Sequence, residues 1–319
     1  MKFWYLPNPT LAARLLIPLS WLAGLVARRR IRQRHRGNYG VPILVVGNLT
    51  VGGTGKSPAI QALVTHLQNR GLRCGIVSRG YGGSSDHYPL AVTPTVSAAQ
   101  CGDEPKALAQ QLGCPVVVDP DRDRAVRYLI GQHRLDVVIS DDGLQHYRMG
   151  RDLELIMVDG VRGLGNARLL PAGPLREPVG RLKTVQWRVA KGQQPVGLKV
   201  DGVLTLNPQW PVNAQGQPLP AGSLIRACAG IGYPKSFYQQ LVEQGFQLQS
   251  THSPGDHRPV PPGWLSDPGL PLVLTEKDAI KLPSPWPAHC YVVRLRPELP
   301  ASLLDAIESA LRSTQPWQP

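Results

Sequence analysis

The sequence predicts an α/β protein: a parallel sheet flanked by helices, a second and smaller α/β unit towards the C-terminus, and an apolar helix with a basic end at the N-terminus. Three observations carry this. Short apolar runs alternate with helical patterns through the first half of the chain. A glycine-rich loop joins the first of those runs to the first helix of the alternation, and a pair of adjacent acids closes a later run. The expected boundaries are 1–36 for the apolar and basic leader, 37–190 for the larger unit and 191–319 for the smaller one with its connection.

Composition sets the frame. The chain has 319 residues, 42% of them hydrophobic and only 18% charged, so it folds and has a core to bury. Its formal charge is +13, yet eight basic residues lie within the first 36 positions and the first carboxylate is Asp86. The excess is thus mainly a property of the leader, which argues against a nucleic-acid partner for the whole chain. Five cysteines, none in a C-x-x-C pair, exclude a disulfide framework and a zinc finger and favour a reducing compartment.

From Leu11 to Ala27 the leader is almost wholly apolar, with Trp4, Tyr5 and Trp21 around it and Arg28, Arg29, Arg30, Arg32, Arg34 and Arg36 behind it. Such a stretch reaches about 25 Å as a helix, short of the roughly 30 Å hydrocarbon core, so a confident membrane span is not expected. A secretory signal fits poorly because the charge follows the apolar stretch. The pattern suits a helix lying in or anchored to a membrane surface with anionic lipids; a core helix with a solvated basic end is the competing reading.

The run Pro42–Gly47 reads as a strand buried on both faces. It leads into Thr50, Val51, Gly52, Gly53, Thr54, Gly55, Lys56 and Ser57, and then into a helix over residues 59–70. Strand, glycine loop and helix in that order form a phosphate-binding loop of the P-loop NTPase type, in which backbone N–H groups surround phosphate oxygens at a helix N-terminus. Lys56 is expected to reach the β- and γ-phosphates of ATP, and the Ser57 hydroxyl to ligate Mg²⁺. Thr50 stands where the usual loop has its first glycine, so this is a variant form.

Strands are expected at 72–78, 115–118, 136–140 and 153–158, with helices near 104–112 and over 122–133. Asp141 and Asp142 follow the third of these strands, opposite the loop, where a metal-holding carboxylate sits. Adjacent acids repel, which favours a cation between them and the nucleotide. Asp103 and Glu104 open a helix and would, taken alone, be explained as capping and first-turn acids. Residues 191–220 read as a connection or an irregular strand pair. Beyond them the pattern gives helices at 234–244 and 301–311 and strands at 272–274 and 291–295.

In chain order, Val46–Ser57, Ser78-Arg79-Gly80-Tyr81-Gly82-Gly83, Gly102-Asp103-Glu104-Pro105, Asp141-Asp142-Gly143-Leu144-Gln145-His146, Leu170–Glu177, Ala229–Gly232, Asp256-His257 and Thr275–Ala279 resemble the tetraacyldisaccharide 4'-kinase family of lipid A biosynthesis. The resemblance implies ATP-dependent phosphorylation of a lipid disaccharide at the cytoplasmic face of the bacterial inner membrane, with no nucleic acid and no obligate protein partner. By motif match it implies Asp103 and His257 as the catalytic pair. It also places Glu104, Arg79, His146 and Arg176 towards substrate, although Arg79 and Arg176 equally suit structural ion pairs. A P-loop switch that recruits a partner to the membrane is the alternative function.

Overall fold

The computed structural model describes residues 2–6, 10–32, 38–255, 258–279, 281–282 and 286–314. His257, Asp256, Arg34, Arg36 and the last five residues lie outside them. The chain forms two compact units, one of Met1–Thr205 with Pro297–Pro319 and the other of Leu206–Arg296. The division differs from the boundary expected at 190/191 because the chain builds more sheet after that point and its last helix returns to the first unit.

The first unit begins with a 3₁₀ turn (Lys2–Tyr5), α1 (Leu11–Leu15) and α2 (Ile17–Arg32). There follow β1 (Ile43–Asn48), α3 (Lys56–Asn69), β2 (Cys74–Ser78), β3 (Leu90–Ala91), α4 (Ala98–Cys101), α5 (Asp103–Leu112), β4 (Val116–Val118) and α6 (Arg122–Gln132). Next come β5 (Val137–Asp141), β6 (Leu153–Asp159), a 3₁₀ turn (Val179–Lys183), β7 (Trp187–Lys191) and β8 (Gly202–Pro208). The second unit holds β9 (Leu224–Cys228), α7 (Pro234–Glu243), β10 (Gln247–His252), α8 (Pro262–Ser266), β11 (Leu272–Thr275), α9 (Glu276–Ala279) and β12 (Cys290–Val293). Finally β13 (Leu295–Glu298) and α10 (Ala301–Thr314) bring the chain back.

The large sheet runs β13-β8-β7-β6-β1-β5-β2-β4-β3. β1 lies between β5 and β6, parallel to both. β2 is parallel to β5 and β4, and β7 to β6 and β8. The expectation of a parallel sheet needs one correction: β3 runs antiparallel to β4, so the sheet is mixed. A two-residue edge strand needs no helical crossover to reach its place. Every residue of β1, β2, β4 and β5 is buried, as apolar runs sandwiched between helix layers should be. Ile43, Val45, Val77 and Val138 from the strands meet Val126 and Leu129 from α6 in the main core, each such side chain contributing about 1.5–3 kcal/mol on burial.

α3 starts at Lys56, three residues before the expected helix, because Gly55 precedes it in the left-handed region at φ +87°. At its other end α3 receives α10. His66 Nε2 lies 3.2 Å from Glu308, and Arg70 Nη2 lies 3.2 Å from Asp305.

The smaller sheet runs β10-β9-β11-β12, all parallel. Phe237 and Leu241 of α7 pack on it with Ile225, Val273 and Val293. All five cysteines are buried and unpaired; burial pushes the Cys74 thiol up to about 12 and that of Cys114 to about 11. They serve as small apolar side chains.

No helix among the described residues is long and apolar enough to cross a membrane. α1 and α2 nonetheless leave Leu11, Leu15, Leu19, Trp21, Leu22 and Leu25 exposed.

Candidate active site

The glycine loop is braced from inside by Asn48, the last residue of β1. Its side-chain amide donates to the carbonyls of Thr50 (2.7 Å) and Gly52 (3.3 Å), and its oxygen accepts from Lys56 Nζ at 3.4 Å. Thr50 and Thr54 are buried. Thr50 forms an antiparallel bridge with Leu175, and the Val51 amide donates to the Pro174 carbonyl at 2.9 Å. Gly52 and Gly55 take positive φ and Gly53 faces open space, so the loop's backbone is uncluttered on one side.

Lys56 and Ser57 open α3, and each meets an acid from another element. Lys56 Nζ is 3.6 Å from Asp142 Oδ1. The Ser57 hydroxyl donates to Glu104 Oε2 at 2.8 Å. Glu104 and Asp103 are exposed in the first turn of α5. That turn is set by a close backbone approach: a Cβ on Gly83 would lie 2.5 Å from the Gly102 nitrogen, so the Arg79–Gly83 loop rests directly on the start of α5.

Asp141 and Asp142 end β5 and diverge sharply. Asp141 points inward and accepts from the Ser78 hydroxyl at 3.0 Å, while its Oδ1 is buried with no hydrogen-bond partner among the described residues. Burial, then the charge of Glu104, pushes its carboxyl up to about 6. Asp142 adopts φ +48° and turns towards the cations. Burial would raise it, but Lys56 and Arg176 outweigh that and hold it below the usual carboxylate range. Arg176 Nη1 also donates to Gln145 Oε1 at 3.2 Å.

Next to the acids lies a cleft of about 470 Å³ lined by Arg30, Arg122, Gln145, His146, Arg148 and Asp121, among others. Arg122, at the first position of α6, is buried and donates to the carbonyls of Asp119 (2.5 Å) and Asp141 (3.3 Å). Burial lowers its guanidinium to about 10. Burial, then Arg122 and Arg79, pushes His146 down to about 4, so its ring is neutral at pH 7. Arg79 itself is exposed. Behind the turn, Arg151 donates to the carbonyls of Leu144 (2.8 Å) and His146 and pairs with buried Glu154, which Arg181 reaches at 2.5 Å.

The expected residues Thr50–Ser57, Asp141, Asp142, Glu104 and Arg176 therefore converge in the first unit, with Asp103 beside Glu104. Arg79 and His146 gather around Arg122. His257 falls outside the described residues. Asn48, Ser78, Arg122 and Gln145 shape the site without having been singled out. Arg122 carried a signal, a cation at the first turn of a helix beside an N-cap aspartate, but its burial is invisible in sequence.

The Tetraacyldisaccharide-1-P 4'-kinase family model matches residues 12–312. The chain belongs to the tetraacyldisaccharide 4'-kinase family. It is 43% identical over 306 residues to the Tetraacyldisaccharide 4'-kinase of Aeromonas hydrophila, covering 92% of this chain and 90% of that one. With the Azotobacter vinelandii enzyme of the same name the identity is 42% over 322 residues, covering 98% and 96%. A crystal structure of LpxK from Aquifex aeolicus in complex with ATP aligns with a TM-score of 0.79 at 26% identity, covering 94% of this chain and all of that one. The chain is thus an enzyme with tetraacyldisaccharide 4'-kinase activity in lipid A biosynthesis.

Proposed function

We propose that the chain transfers the γ-phosphoryl group of ATP to the 4'-hydroxyl of a tetraacylated glucosamine disaccharide 1-phosphate at the cytoplasmic surface of the bacterial inner membrane. The observation that carries this reading is the chain of contacts Asn48–Lys56–Asp142–Arg176 lying under an open glycine loop. Phosphoryl transfer asks a protein mainly to position the reactants and neutralise charge. Loop amides and Lys56 hold the β- and γ-phosphates. Arg176, kept in place by Asp142 and Gln145, faces the same charge.

Asp103 takes the proton of the acceptor hydroxyl as its oxygen bonds to the γ-phosphorus; the bond from that phosphorus to the bridging oxygen breaks and ADP leaves. His257, carried over from the family's motif, orients Asp103 or shares the proton, since an imidazolium partner makes a carboxylate less basic.

Mg²⁺ fits the donors present. Asp141 offers a buried carboxylate oxygen with no hydrogen-bond partner among the described residues, and Ser57 and Glu104 supply further oxygens. Asp142, already held by two cations, is the less suited of the acidic pair. The metal, when bound, supplies charge neutralisation on the phosphates.

Arg30, Arg122 and Arg148, which line the neighbouring cleft, and Arg79, whose charge is felt by Arg122, suit the anionic, hydroxyl-rich head of the acceptor. The exposed leucines and Trp21 of α1 and α2, followed by Arg28, Arg29 and Arg30, suit docking onto an anionic lipid surface.

The test is transfer of label from [γ-³²P]ATP to the disaccharide lipid. Wild type labels the lipid, whereas Asp103→Ala and His257→Ala lose most of the rate. A protein that hydrolyses ATP without ever labelling the lipid overturns the proposal.

A further inference from the structure

Ser20 is out of place on α2: a buried hydroxyl on a helix whose neighbouring side chains Leu19, Trp21 and Leu22 are exposed. It bonds not only its own helix, at Leu16 O (3.2 Å), but a segment about 150 positions further on. Its one hydroxyl proton is shared between Leu16 O and the nearer Leu169 O at 2.9 Å, and its oxygen accepts from the Ala172 amide at 3.1 Å. One turn on, Gly24 gives Leu169 room, since a Cβ there would lie 2.9 Å from Leu169 Cδ1. Ahead of the helix, Trp4 Nε1 donates to Pro171 O at 3.0 Å, and the Asn166 amide donates to Trp4 O at 2.7 Å. The apolar leader is therefore fastened at several points to residues 166–172.

The other end of the same segment is fastened to the glycine loop. The Val51 amide donates to Pro174 O at 2.9 Å, the Arg176 amide donates to Leu49 O at 2.7 Å, and Thr50 bridges Leu175. Between the two ends the segment braces itself, with Asn166 Nδ2 on Ala172 O (2.9 Å), the Gly173 amide on Leu169 O (2.9 Å) and the Leu170 amide on Leu175 O (2.8 Å). It then delivers Arg176 to Asp142. A short strap with bonds at both ends and across its middle transmits a displacement rather than absorbing it.

We propose that Ser20 is a positioning residue for the nucleotide loop: through the 166–176 strap, the seating of the apolar leader fixes the backbone of Thr50 and Val51 and the placement of Arg176. The proposal rests on the nucleotide reading above and extends it, because it makes the leader part of the phosphate site's geometry in addition to a docking surface.

The test uses the full chain with Ser20→Ala and, separately, Trp4→Phe, which removes the Nε1 donor and keeps a smaller aromatic ring. Two quantities are read: affinity for the β,γ-imido analogue of ATP with magnesium, and amide hydrogen exchange in peptides covering Val51 and Arg176. Both variants should bind the analogue about 3- to 10-fold more weakly and exchange faster at those two amides. Exchange in β2 and β5, the thermal midpoint and flotation with anionic vesicles should stay near wild type.

Unchanged analogue affinity and unchanged exchange in both variants overturn the strap. So does faster exchange across the whole sheet with a fallen midpoint, which would make Ser20 a structural residue only. A wild-type chain that fails to bind the analogue counts instead against the nucleotide reading, while the exchange data still decide the strap.

Discussion

Arg176 reaches Asp142 through a single nitrogen that bonds both carboxylate oxygens, at 3.0 and 3.2 Å. Lys56 approaches the same carboxylate at 3.6 Å. Asp142 thus holds two cations whose charges would otherwise repel, and keeps both beside the glycine loop. Asp142→Asn removes the charge and keeps the shape. Turnover should fall about 10- to 100-fold, and a double-mutant cycle with Arg176→Ala should give a coupling of about 1–3 kcal/mol. Additive losses in steady-state kinetics would show that the pair does not act together.

Lys56→Ala takes a fixed positive charge away from developing phosphate charge. The turnover number should drop by orders of magnitude with the fold intact by circular dichroism. Single-turnover measurement separates this from slow product release.

Glu154 is fully buried between Arg151 and Arg181, both nearly so. Glu154→Ala removes the carboxylate that two buried guanidinium groups share, leaving Arg181 with Glu177 and Arg151 with backbone carbonyls, and should cost about 3–5 kcal/mol in urea unfolding. Because Arg151 also holds the Leu144 and His146 carbonyls, the same variant should slow the kinase more than a surface substitution of equal stability does.

His146 gives a pH signature. Its folded value of about 4 lies below the ordinary 6.5, so between these values the unfolded chain binds the extra proton. The stability it contributes is present above pH 6.5 and is lost as pH falls towards 4. His146→Asn should flatten the stability profile over that window, measured by urea midpoints at stepped pH.

Trp21→Asp with Leu22→Asp places two charges on the exposed apolar face of α2. Flotation with anionic vesicles should weaken at least tenfold, while affinity for the ATP analogue in detergent stays unchanged.

Much of this was legible in the residues. β1, β2, β4, β5 and β6 announced themselves as largely apolar runs, because strands buried on both faces leave little room for polar positions beyond paired ones such as Glu154. The glycine loop after β1 and the Asp141–Asp142 pair at the end of β5 were placed by the same pattern, whereas Asp103 and Glu104, read alone, were first-turn acids of a helix, which is where they lie.

Strands at the margins escaped. β10, Gln-Leu-Gln-Ser-Thr-His, is an edge strand and carries mostly polar side chains. β9 hides behind Arg226, whose charge breaks the apolar run but is neutralised by Asp267 at 2.7 Å and lies over Trp264. β8 sits in a stretch read as a connection or an irregular strand pair, where proline and glycine around the strand left its bounds open. The inward turn of Asp141 and the outward turn of Asp142 were equally invisible, because they depend on one residue's backbone angle. So was the burial of Arg122, which is decided by what packs over it.

The first unit is discontinuous in sequence: its sheet takes β13, and α3 takes α10, only after the whole second unit has been traversed. On a ribosome, the first unit must therefore wait, with its sheet edge at β8 unpaired, until β13 and α10 have been made. The second unit, contiguous from Leu206 to Arg296, is free to fold first. The discontinuous unit is thus the last to be completed, and a nascent chain cut short between Arg296 and α10 yields a finished insert within an unfinished host.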